Sequence, residues 1–243
     1  MKLKPTVFNM EENTVWDFPE RGDWATHNGK YRGNWSPYVP RNLILRYTMP
    51  GEWVLDQFLG GGTTIVEAKL LSRNAIGIDI NKKALELALR AVSFECDTNT
   101  KIFVRQGSAT NLKMIKNEGI DFICTHPPYA NIIKYSDNII NDLSNTSMDK
   151  FLSNMRMVAK ESYRVLKPQK YCAIMMGDIR KNGCLFPLGF NVMNIFLEEG
   201  FCLKEVIIKK QNNCASTNFW KGKNLNFLLL AHEYIFIFKK SKK

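Results

Sequence analysis

The sequence has no apolar run near the roughly 18 residues that a membrane-spanning helix needs. Its N-terminal stretch, MKLKPTVFNMEENTVW, lacks the apolar segment of a secretion signal. The six cysteines form no C-x-x-C pair, and several of them lie inside apolar runs. We therefore expect a cytoplasmic protein with no membrane partner, with reduced, buried thiols and with no metal site.

Acidic residues are also in short supply. The 243 residues include 23 Asp and Glu against 34 Lys and Arg, which gives a net charge of +11. Such an excess of cationic side chains favours a polyanionic partner, because neutralising phosphates releases their condensed counterions. A general requirement for solubility is the alternative, and the terminal FKKSKK is interpreted as a solvated tail.

Strand and helix patterns alternate from residue 52 to the end. The alternation predicts a single α/β domain over 1–243, with a mostly parallel sheet and helices on both faces. Strands are predicted at 52–58, 74–80, 101–107, 121–125, 171–178, 202–210 and 226–240, the last as a strand pair or one long edge strand. Helices are predicted at 63–73, 81–94, 148–166 and 188–200.

The first fifty residues break this alternation. They are rich in Trp, Tyr, Pro, Asn and Gly, and they predict an ordered cap or lid (1–50) with a helix near 41–48, placed on a core that spans 51–243. Its aromatic residues either form a lid over a bound cofactor or only pack together, and we favour a cap that touches the cofactor. These residues are Trp16, Trp24, Tyr31, Trp35 and Tyr38.

Residues 55–68, LDQFLGGGTTIVEA, place an acid and three glycines between the first core strand and its helix. Glycines let the backbone turn sharply and approach a ligand closely, and the first N–H groups of a helix favour an anionic group. Asp79 follows Gly60 by about twenty residues, at the end of the second strand, from which an acid holds ribose hydroxyls in such folds. Together these features predict a nucleoside-type ligand.

The glycine loop lacks two features of phosphate-binding loops. Thr63 stands where a P-loop has its lysine, and the third glycine of a G-x-G-x-x-G fingerprint is missing. A pyrophosphate ligand is therefore disfavoured. A nucleoside that carries a carboxylate and an amine fits better, and S-adenosyl-L-methionine has that shape.

The fourth core strand ends in THPPY, residues 125–129. Two adjacent prolines forbid a helix and remove two backbone N–H donors, so the chain must leave the strand stiff and extended. Ligands of open α/β sheets bind at the carboxyl ends of the strands, where this motif and Asp56 are both expected. A strand-ending turn with a packed tyrosine is the alternative interpretation.

LDQFLGGGTT resembles the D-P-F-x-G-x-G-T-T cofactor motif of DNA amino-methyltransferases, and THPPY resembles their D-P-P-Y or S-P-P-Y catalytic motif. IGIDIN is similar to the segment with their ribose-binding acid, and AHEYIFIFKK is similar to their closing strand. The resemblance covers most of the chain. It implies a Rossmann-like class I methyltransferase with a mostly parallel seven-stranded sheet and S-adenosyl-L-methionine as cofactor.

The same resemblance implies the residues of the site. An exocyclic amine of a flipped DNA base would donate hydrogen bonds to residue 126 and to the carbonyl of Pro127, while Tyr129 would stack on the base. The implied catalytic residues are His126, Pro127, Pro128 and Tyr129. The implied cofactor-binding residues are Asp56, Phe58, Gly60, Gly62, Thr63, Thr64, Asp79, Ile80, Ser108 and Ala109.

Two residues depart from the family pattern. Gln57 replaces a proline, which we expect to change the rigidity of the loop little. His126 replaces Asp, Asn or Ser, and only a neutral imidazole can accept a hydrogen bond, so activity should fall below the histidine pKa, near 6.5 if unperturbed. The residue at this position usually indicates the target base, and a histidine gives no such indication. Thr125 resembles the first residue of cytosine-type T-S-P-P-Y motifs, but adenine-type enzymes are more frequent, so adenine N6 is slightly favoured over cytosine N4.

DNA is the expected partner, and Arg180, Lys181 and Lys221 are candidate phosphate contacts, although solvated basic loops would explain them equally well. No insertion is large enough for a separate target-recognition domain. Sequence specificity is therefore expected from residues 130–147, from residues 211–226, or from a partner subunit or homodimer.

Other interpretations stay open. One alternative is an RNA or tRNA guanine-N2 methyltransferase, and another is a non-catalytic, methyltransferase-like subunit that binds DNA. His27 and His232 are interpreted as structural, with no cluster expected around the His232-Glu233 pair.

Overall fold

The computed structural model describes residues 2–31, 33–129, 139, 142–181, 183–212, 219, 221–223 and 226–242. Its strands are β1 (Val15–Trp16), β2 (Trp53–Asp56), β3 (Asn74–Asp79), β4 (Ile102–Gln106), β5 (Ile120–Thr125), β6 (Leu166–Met176), β7 (Ile179–Lys181), β8 (Cys184–Phe186), β9 (Phe201–Lys210) and β10 (His232–Lys240). Its helices are α1 (Tyr38–Tyr47), α2 (Thr63–Leu70), α3 (Lys82–Ala91), α4 (Met148–Val165) and α5 (Leu188–Glu198), with a 3₁₀ turn at Leu143–Asn145.

Eight strands form one sheet in the order β1-β9-β10-β6-β5-β2-β3-β4, and β7 and β8 form a separate antiparallel pair. Neighbours in the large sheet are parallel except β10, which is antiparallel to both β6 and β9. Strand order reverses between β2 and β5, because β3 and β4 follow on one side and β6 on the other. The crevice at the carboxyl ends of β2 and β5 is therefore the expected ligand site.

Alternating side chains of the buried strands fill two cores, one on each face of the sheet. Phe122 and Cys124 of β5 face the core that α1, α2 and α3 cover, whereas Ile123 faces the core under α4 and α5. Helices therefore cover both faces, as the sequence predicted. None of the described helices is long and apolar enough to cross a membrane.

Helix boundaries follow local signals in the sequence. The side chain of Asn81 accepts a hydrogen bond from the Lys83 N–H and caps α3, which confirms the predicted N-cap. Helix α4 ends at Val165, before the predicted stop at Lys167-Pro168. Strand β6 begins at the next residue, Leu166, and includes Pro168, whereas the sequence predicted a strand that begins at residue 171. Its pairing with β5 is irregular there, and an irregular strand start tolerates a proline.

Three expectations need correction. The seven predicted strands are present, but β1 from the N-terminal segment adds an eighth at the sheet edge. Strand β10 is an interior strand and not an edge strand, since it pairs with both β6 and β9 and buries Ile235–Phe238 fully. Of the described cysteines, Cys124 and Cys172 are buried as predicted, whereas Cys184 and Cys202 are exposed.

Candidate active site

A cavity with about 790 Å³ of empty space, its open mouth included, lies at the carboxyl ends of β2, β3, β4 and β5. Residues from the first core strands, the THPPY motif, the N-terminal segment and the 3₁₀ turn line it: Tyr31, Gly33, Asn34, Trp35, Asp56, Gln57, Phe58, Leu59, Gly60, Asp79, Ile80, Asn81, Gly107, Ser108, Ala109, His126, Pro128, Asp142 and Leu143.

Asp79 closes β3 at the edge of this cavity. Its Oδ2 accepts a hydrogen bond from the Gly60 N–H (2.9 Å), and its Oδ1 accepts one from the Asn81 N–H (2.9 Å). Burial raises the pKa of the Asp79 carboxyl, although both hydrogen bonds oppose that shift. The carboxylate thus joins the glycine loop to the start of α3, and polar groups of Asp79, Asn81 and Ser108 share the cavity wall with apolar Phe58 and Ile80. This mixture fits a nucleoside ligand.

The glycine loop allows close packing as well as a turn. Gly60 has φ +50°, and a Cβ there would lie 3.0 Å from the Tyr31 ring. Gly62 has φ +87°, and a Cβ there would lie 3.0 Å from the Ala88 side chain. The first glycine therefore admits the N-terminal segment to the cavity wall, and the second lets α2 begin against α3.

Asp56 links the glycine loop to the THPPY motif. Its Oδ1 accepts hydrogen bonds from the Thr125 hydroxyl (2.7 Å) and the Phe58 N–H (3.1 Å), and its Oδ2 accepts one from the Thr64 hydroxyl (2.5 Å). Burial raises the pKa of Asp56 to about 6 even though these bonds favour the ionised form. The carboxyl group thereby holds the ends of β2 and β5 together.

Gln57, which replaces the usual proline, has a structural role. Its side-chain amide donates to the Ser162 hydroxyl of α4 (2.9 Å), and both side chains are buried. The glutamine therefore anchors the loop through a hydrogen bond to α4, where a proline would restrict the loop through its ring.

A second cavity adjoins the first. Its lining includes Pro127, Tyr129, Met175, Lys209 and Glu233. Four residues line both cavities: Gly33, Asn34, Trp35 and His126. The His126 ring stacks on Trp35 with the ring centroids 5.6 Å apart and an interplanar angle of 22°. His126 therefore stands in the wall shared by the first cavity and a cavity bounded by the THPPY motif.

The structure separates the candidate residues into groups. Asp56, Phe58, Gly60, Asp79, Ile80, Ser108, Ala109, His126 and Pro128 line the first cavity, and Pro127 and Tyr129 line the second. Gly62, Thr63 and Thr64 lie behind the wall, where the Thr63 hydroxyl donates to Asn34 Oδ1 (2.8 Å).

Sequence reasoning missed Asn34, Asp142 and Leu143, which lie in segments without a periodic pattern. The structure places Tyr31 and Trp35 in the wall, whereas Trp16 and Trp24 are buried. The N-terminal segment thus contributes aromatic rings both to the cavity and to the core on one face of the sheet, which includes Trp16 and Trp35.

Glu233 was also missed, and the expectation that it has no cluster around it is wrong. It lies beside Tyr129 and Lys209 in the second cavity. An acid in the apolar strand HEYIFIFKK was the available signal.

Of the candidate DNA contacts, neither Arg180 nor Lys221 lines either cavity. Arg180 donates to the Leu228 carbonyl (2.9 Å) and packs over the Phe227 ring, and Lys221 is exposed. Lys181 belongs to β7, and its side chain lies outside the described residues, as do residues 130–138, 140–141, 213–218, 220 and 224–225 of the two candidate specificity segments.

The sheet order, with a glycine loop, an acid and a proline motif at its switch point, defines a Rossmann-like class I methyltransferase. Solved structures show the same fold. TrmN from Thermus thermophilus aligns with a TM-score of 0.59 at 19% identity, over 86% of this chain and 50% of that chain. A SAM-dependent methyltransferase from Methanosarcina mazei aligns with a TM-score of 0.57 at 15% identity, over 83% of this chain and 98% of that chain.

The family follows from the sequence match. The family model for N6/N4 DNA methylases, described as DNA methylase, matches residues 5–90 and 120–243. The chain therefore belongs to this DNA methylase family, which confirms the resemblance of its motifs. The family and the fold together also confirm S-adenosyl-L-methionine as the cofactor.

Relatives match over shorter segments. The Type II methyltransferase M2.DpnII of Streptococcus pneumoniae is 41% identical over 76 residues, which is 31% of this chain and 27% of that protein. The Type II methyltransferase M2.MboI of Moraxella bovis is 34% identical over 88 residues, which is 36% of this chain and 32% of that protein. The chain thus spans about a third or less of the length of these curated relatives.

Proposed function

We propose that the protein transfers a methyl group from S-adenosyl-L-methionine to an exocyclic amino group of a flipped DNA base, with adenine N6 slightly favoured over cytosine N4. The observation that carries the proposal is the position of His126 in both cavities. A methyl donor in the first cavity and a base in the second would meet at this residue. The Type II methyltransferase relatives support DNA as the substrate.

The residues of the first cavity have the chemistry to hold the cofactor. Asp79 and Asn81, which line the cavity, would offer polar groups to a ribose, Ser108 and Ala109 would border the adenine, and Phe58 and Ile80 would supply apolar walls. When bound, S-adenosyl-L-methionine supplies a methyl group on a positively charged sulfur.

The THPPY motif would prepare the base. An exocyclic amine is a weak nucleophile because its lone pair is delocalised into the ring. Acceptors at the Pro127 carbonyl and at His126 would favour a pyramidal nitrogen whose lone pair is free to attack. Tyr129 would stack on the base once it leaves the duplex, an interaction worth about 1–3 kcal/mol.

The positive charge of the chain supports a DNA partner. Arg180, Lys181 and Lys221 are proposed to contact phosphates outside the two cavities. The segments 130–147 and 211–226 are proposed to supply sequence specificity, with a partner subunit or homodimer as the other source.

The proposal is tested by offering the purified protein methyl-labelled S-adenosyl-L-methionine with DNA or with total tRNA. Label should enter DNA, and mass spectrometry of the digested nucleosides should identify N6-methyladenine or N4-methylcytosine. Label in tRNA alone would favour the guanine-N2 alternative, and no turnover would favour a non-catalytic subunit.

Variants separate the roles of the two cavities. His126→Ala and Tyr129→Ala should abolish transfer and keep cofactor binding, whereas Asp79→Ala should weaken cofactor binding, measured by calorimetry. A Tyr129→Ala protein that methylates DNA as fast as the wild type would contradict the stacking role.

A further inference from the structure

Four side chains, two from the THPPY motif and one each from β9 and β10, form a partly buried network at the second cavity. The Tyr129 hydroxyl donates to Glu233 Oε1 (2.7 Å) and lies 3.1 Å from His126 Nε2. Lys209 Nζ lies 3.2 Å from Glu233 Oε2, and these two residues face each other in the register of β9 and β10. Glu233 Oε1 also lies 3.9 Å from His126 Nε2.

The network places a charged carboxylate where the strand is otherwise apolar. The Glu233 side chain is 8% exposed, and the four residues Ile235–Phe238 that follow on β10 are fully buried. Although burial alone would raise it, the pKa of Glu233 is lowered by Lys209, His126 and Tyr129, so the carboxylate stays ionised. A buried ion pair is weak support for folding, but it is typical of a functional site that lies in a cleft.

Proton counting shows what the network can do. The Tyr129 hydroxyl has one proton and donates it to the Glu233 carboxylate, so the Tyr129 oxygen can accept a hydrogen bond from Nε2 of His126 only when that nitrogen carries a proton. A hydrogen bond with the Gly33 backbone also favours the protonated ring. A neutral imidazole has one N–H and can serve only one of these two partners, whereas an imidazolium serves both.

The resting ring is nevertheless neutral. Burial lowers the pKa of His126 and outweighs the attraction of Glu233, while the positive charge of Lys209 acts in the same direction as burial. Among the described residues, the other charged groups that line the two cavities are Arg21, Asp56, Asp79 and Asp142. His126 can therefore take up one proton, for which hydrogen-bond partners are already in place.

Methyl transfer to an amine releases one proton. We propose that Nε2 of His126 accepts this proton, that Glu233 positions the imidazole and balances its charge, and that Lys209 holds the Glu233 carboxylate in place. Before the transfer, the neutral ring carries its own proton on the other ring nitrogen. As the new carbon–nitrogen bond forms and the carbon–sulfur bond breaks, the N–H bond gives its proton to Nε2, and its electron pair stays on the amine nitrogen. The imidazolium then returns the proton to solvent. The inference rests on the proposed function, and it explains why a histidine can stand where the family has Asp, Asn or Ser.

The test compares Glu233→Gln with Glu205→Gln as a matched control. Glu205 lies on β9 of the same sheet and also accepts a hydrogen bond from a tyrosine, Tyr47 of α1 (3.1 Å), but neither residue lines the two cavities. The rate of single-turnover transfer to DNA should fall by roughly tenfold or more in Glu233→Gln and stay unchanged in Glu205→Gln. This loss is smaller than the full contribution of a general base, because Glu233 acts through His126. The inflection of the pH–rate profile should move to lower pH in Glu233→Gln, because the imidazolium loses its carboxylate.

A second comparison, in the His126→Asp variant, distinguishes a role of Glu233 in proton transfer from a structural role. His126→Asp restores a residue type usual in the family, and adding Glu233→Gln to it should change the rate little. Equal losses from Glu233→Gln in the wild-type and His126→Asp backgrounds would show a structural role for Glu233 and would overturn the inference.

NMR titration of the histidine ring signals reads the same interaction without DNA or cofactor. The His126 midpoint should move to lower pH in Glu233→Gln and stay in place in Glu205→Gln. An unmoved midpoint in an active enzyme would overturn this inference alone. Absence of methyl transfer by the wild type to any nucleic acid would instead overturn the proposed function, and with it the source of the proton.

Discussion

Glu67 of α2 fastens the N-terminal segment to the helix that follows the glycine loop. Its side chain is fully buried. Its Oε1 accepts hydrogen bonds from Trp24 Nε1 (2.7 Å) and His27 Nε2 (2.7 Å), and its Oε2 accepts one from Arg41 Nη1 (2.9 Å). Tyr31, which lines the first cavity, belongs to the same segment. Loss of this carboxylate should therefore affect both stability and cofactor binding.

The size of the effect follows from the burial of the partners. Glu67→Ala leaves the Arg41 guanidinium buried without its carboxylate, and the Nε of that guanidinium already has no partner among the described atoms. Removing one member of a buried ion pair costs about 3–5 kcal/mol. Glu67→Gln keeps one oxygen acceptor and loses the charge, so we expect a smaller cost of about 1–3 kcal/mol.

Urea unfolding followed by tryptophan fluorescence measures these changes in the free energy of unfolding. Glu86→Ala is the control, because Glu86 is 65% exposed in a pair with Arg90 at 3.9 Å and should change stability by no more than about 0.5 kcal/mol. Cofactor affinity should fall in Glu67→Ala and not in Glu86→Ala. A Glu67→Ala protein as stable as the control would refute the anchoring role of the carboxylate.

Two further predictions concern the cofactor loop. In the folded protein the pKa of Asp56 is about 6, above its unfolded value of about 3.9. The protonated carboxyl therefore adds to the free energy of unfolding in full below about pH 4, and this stabilisation is lost as the pH rises through about 6. Asp56→Asn should remove about 2–3 kcal/mol of this pH dependence, measured by urea unfolding between pH 4 and 7, and parallel stability curves for both proteins would contradict the shift. Gly60→Ala should weaken cofactor binding by about tenfold in calorimetry, because its Cβ would lie 3.0 Å from the Tyr31 ring. Gly51 also has a positive φ (+84°) but nothing within 4 Å of its Cβ position, so Gly51→Ala is the control, and equal affinities of the two variants would rule out this crowding.

The elements that carry the cofactor motif could be predicted because their signals are local. Glycines after β2, an acid at the end of β3 and the N-cap at Asn81 each lie within a few residues of the structure they specify. Parallel strands bring their carboxyl ends to one edge of the sheet, so the order of motifs along the chain was enough to place Asp56, Asp79 and THPPY together.

The sequence could not predict the register in which the strands pair. Glu233 and Tyr129 are 104 residues apart in the chain, and only the pairing of β10 with both β6 and β9 brings Glu233 and Lys209 to the THPPY motif. The N-terminal segment has no periodic pattern, so the sequence could indicate its aromatic content but not which rings would reach the cavity.

By itself, the sequence determined the fold class and the family, and it predicted that Asp56, Asp79 and THPPY lie together, because these features depend on short-range patterns and on the regular geometry of parallel strands. Only the tertiary structure decided what surrounds His126. The partners of a buried imidazole come from distant strands, and long-range packing fixes both the cost of burying its charge and the groups that compensate for it.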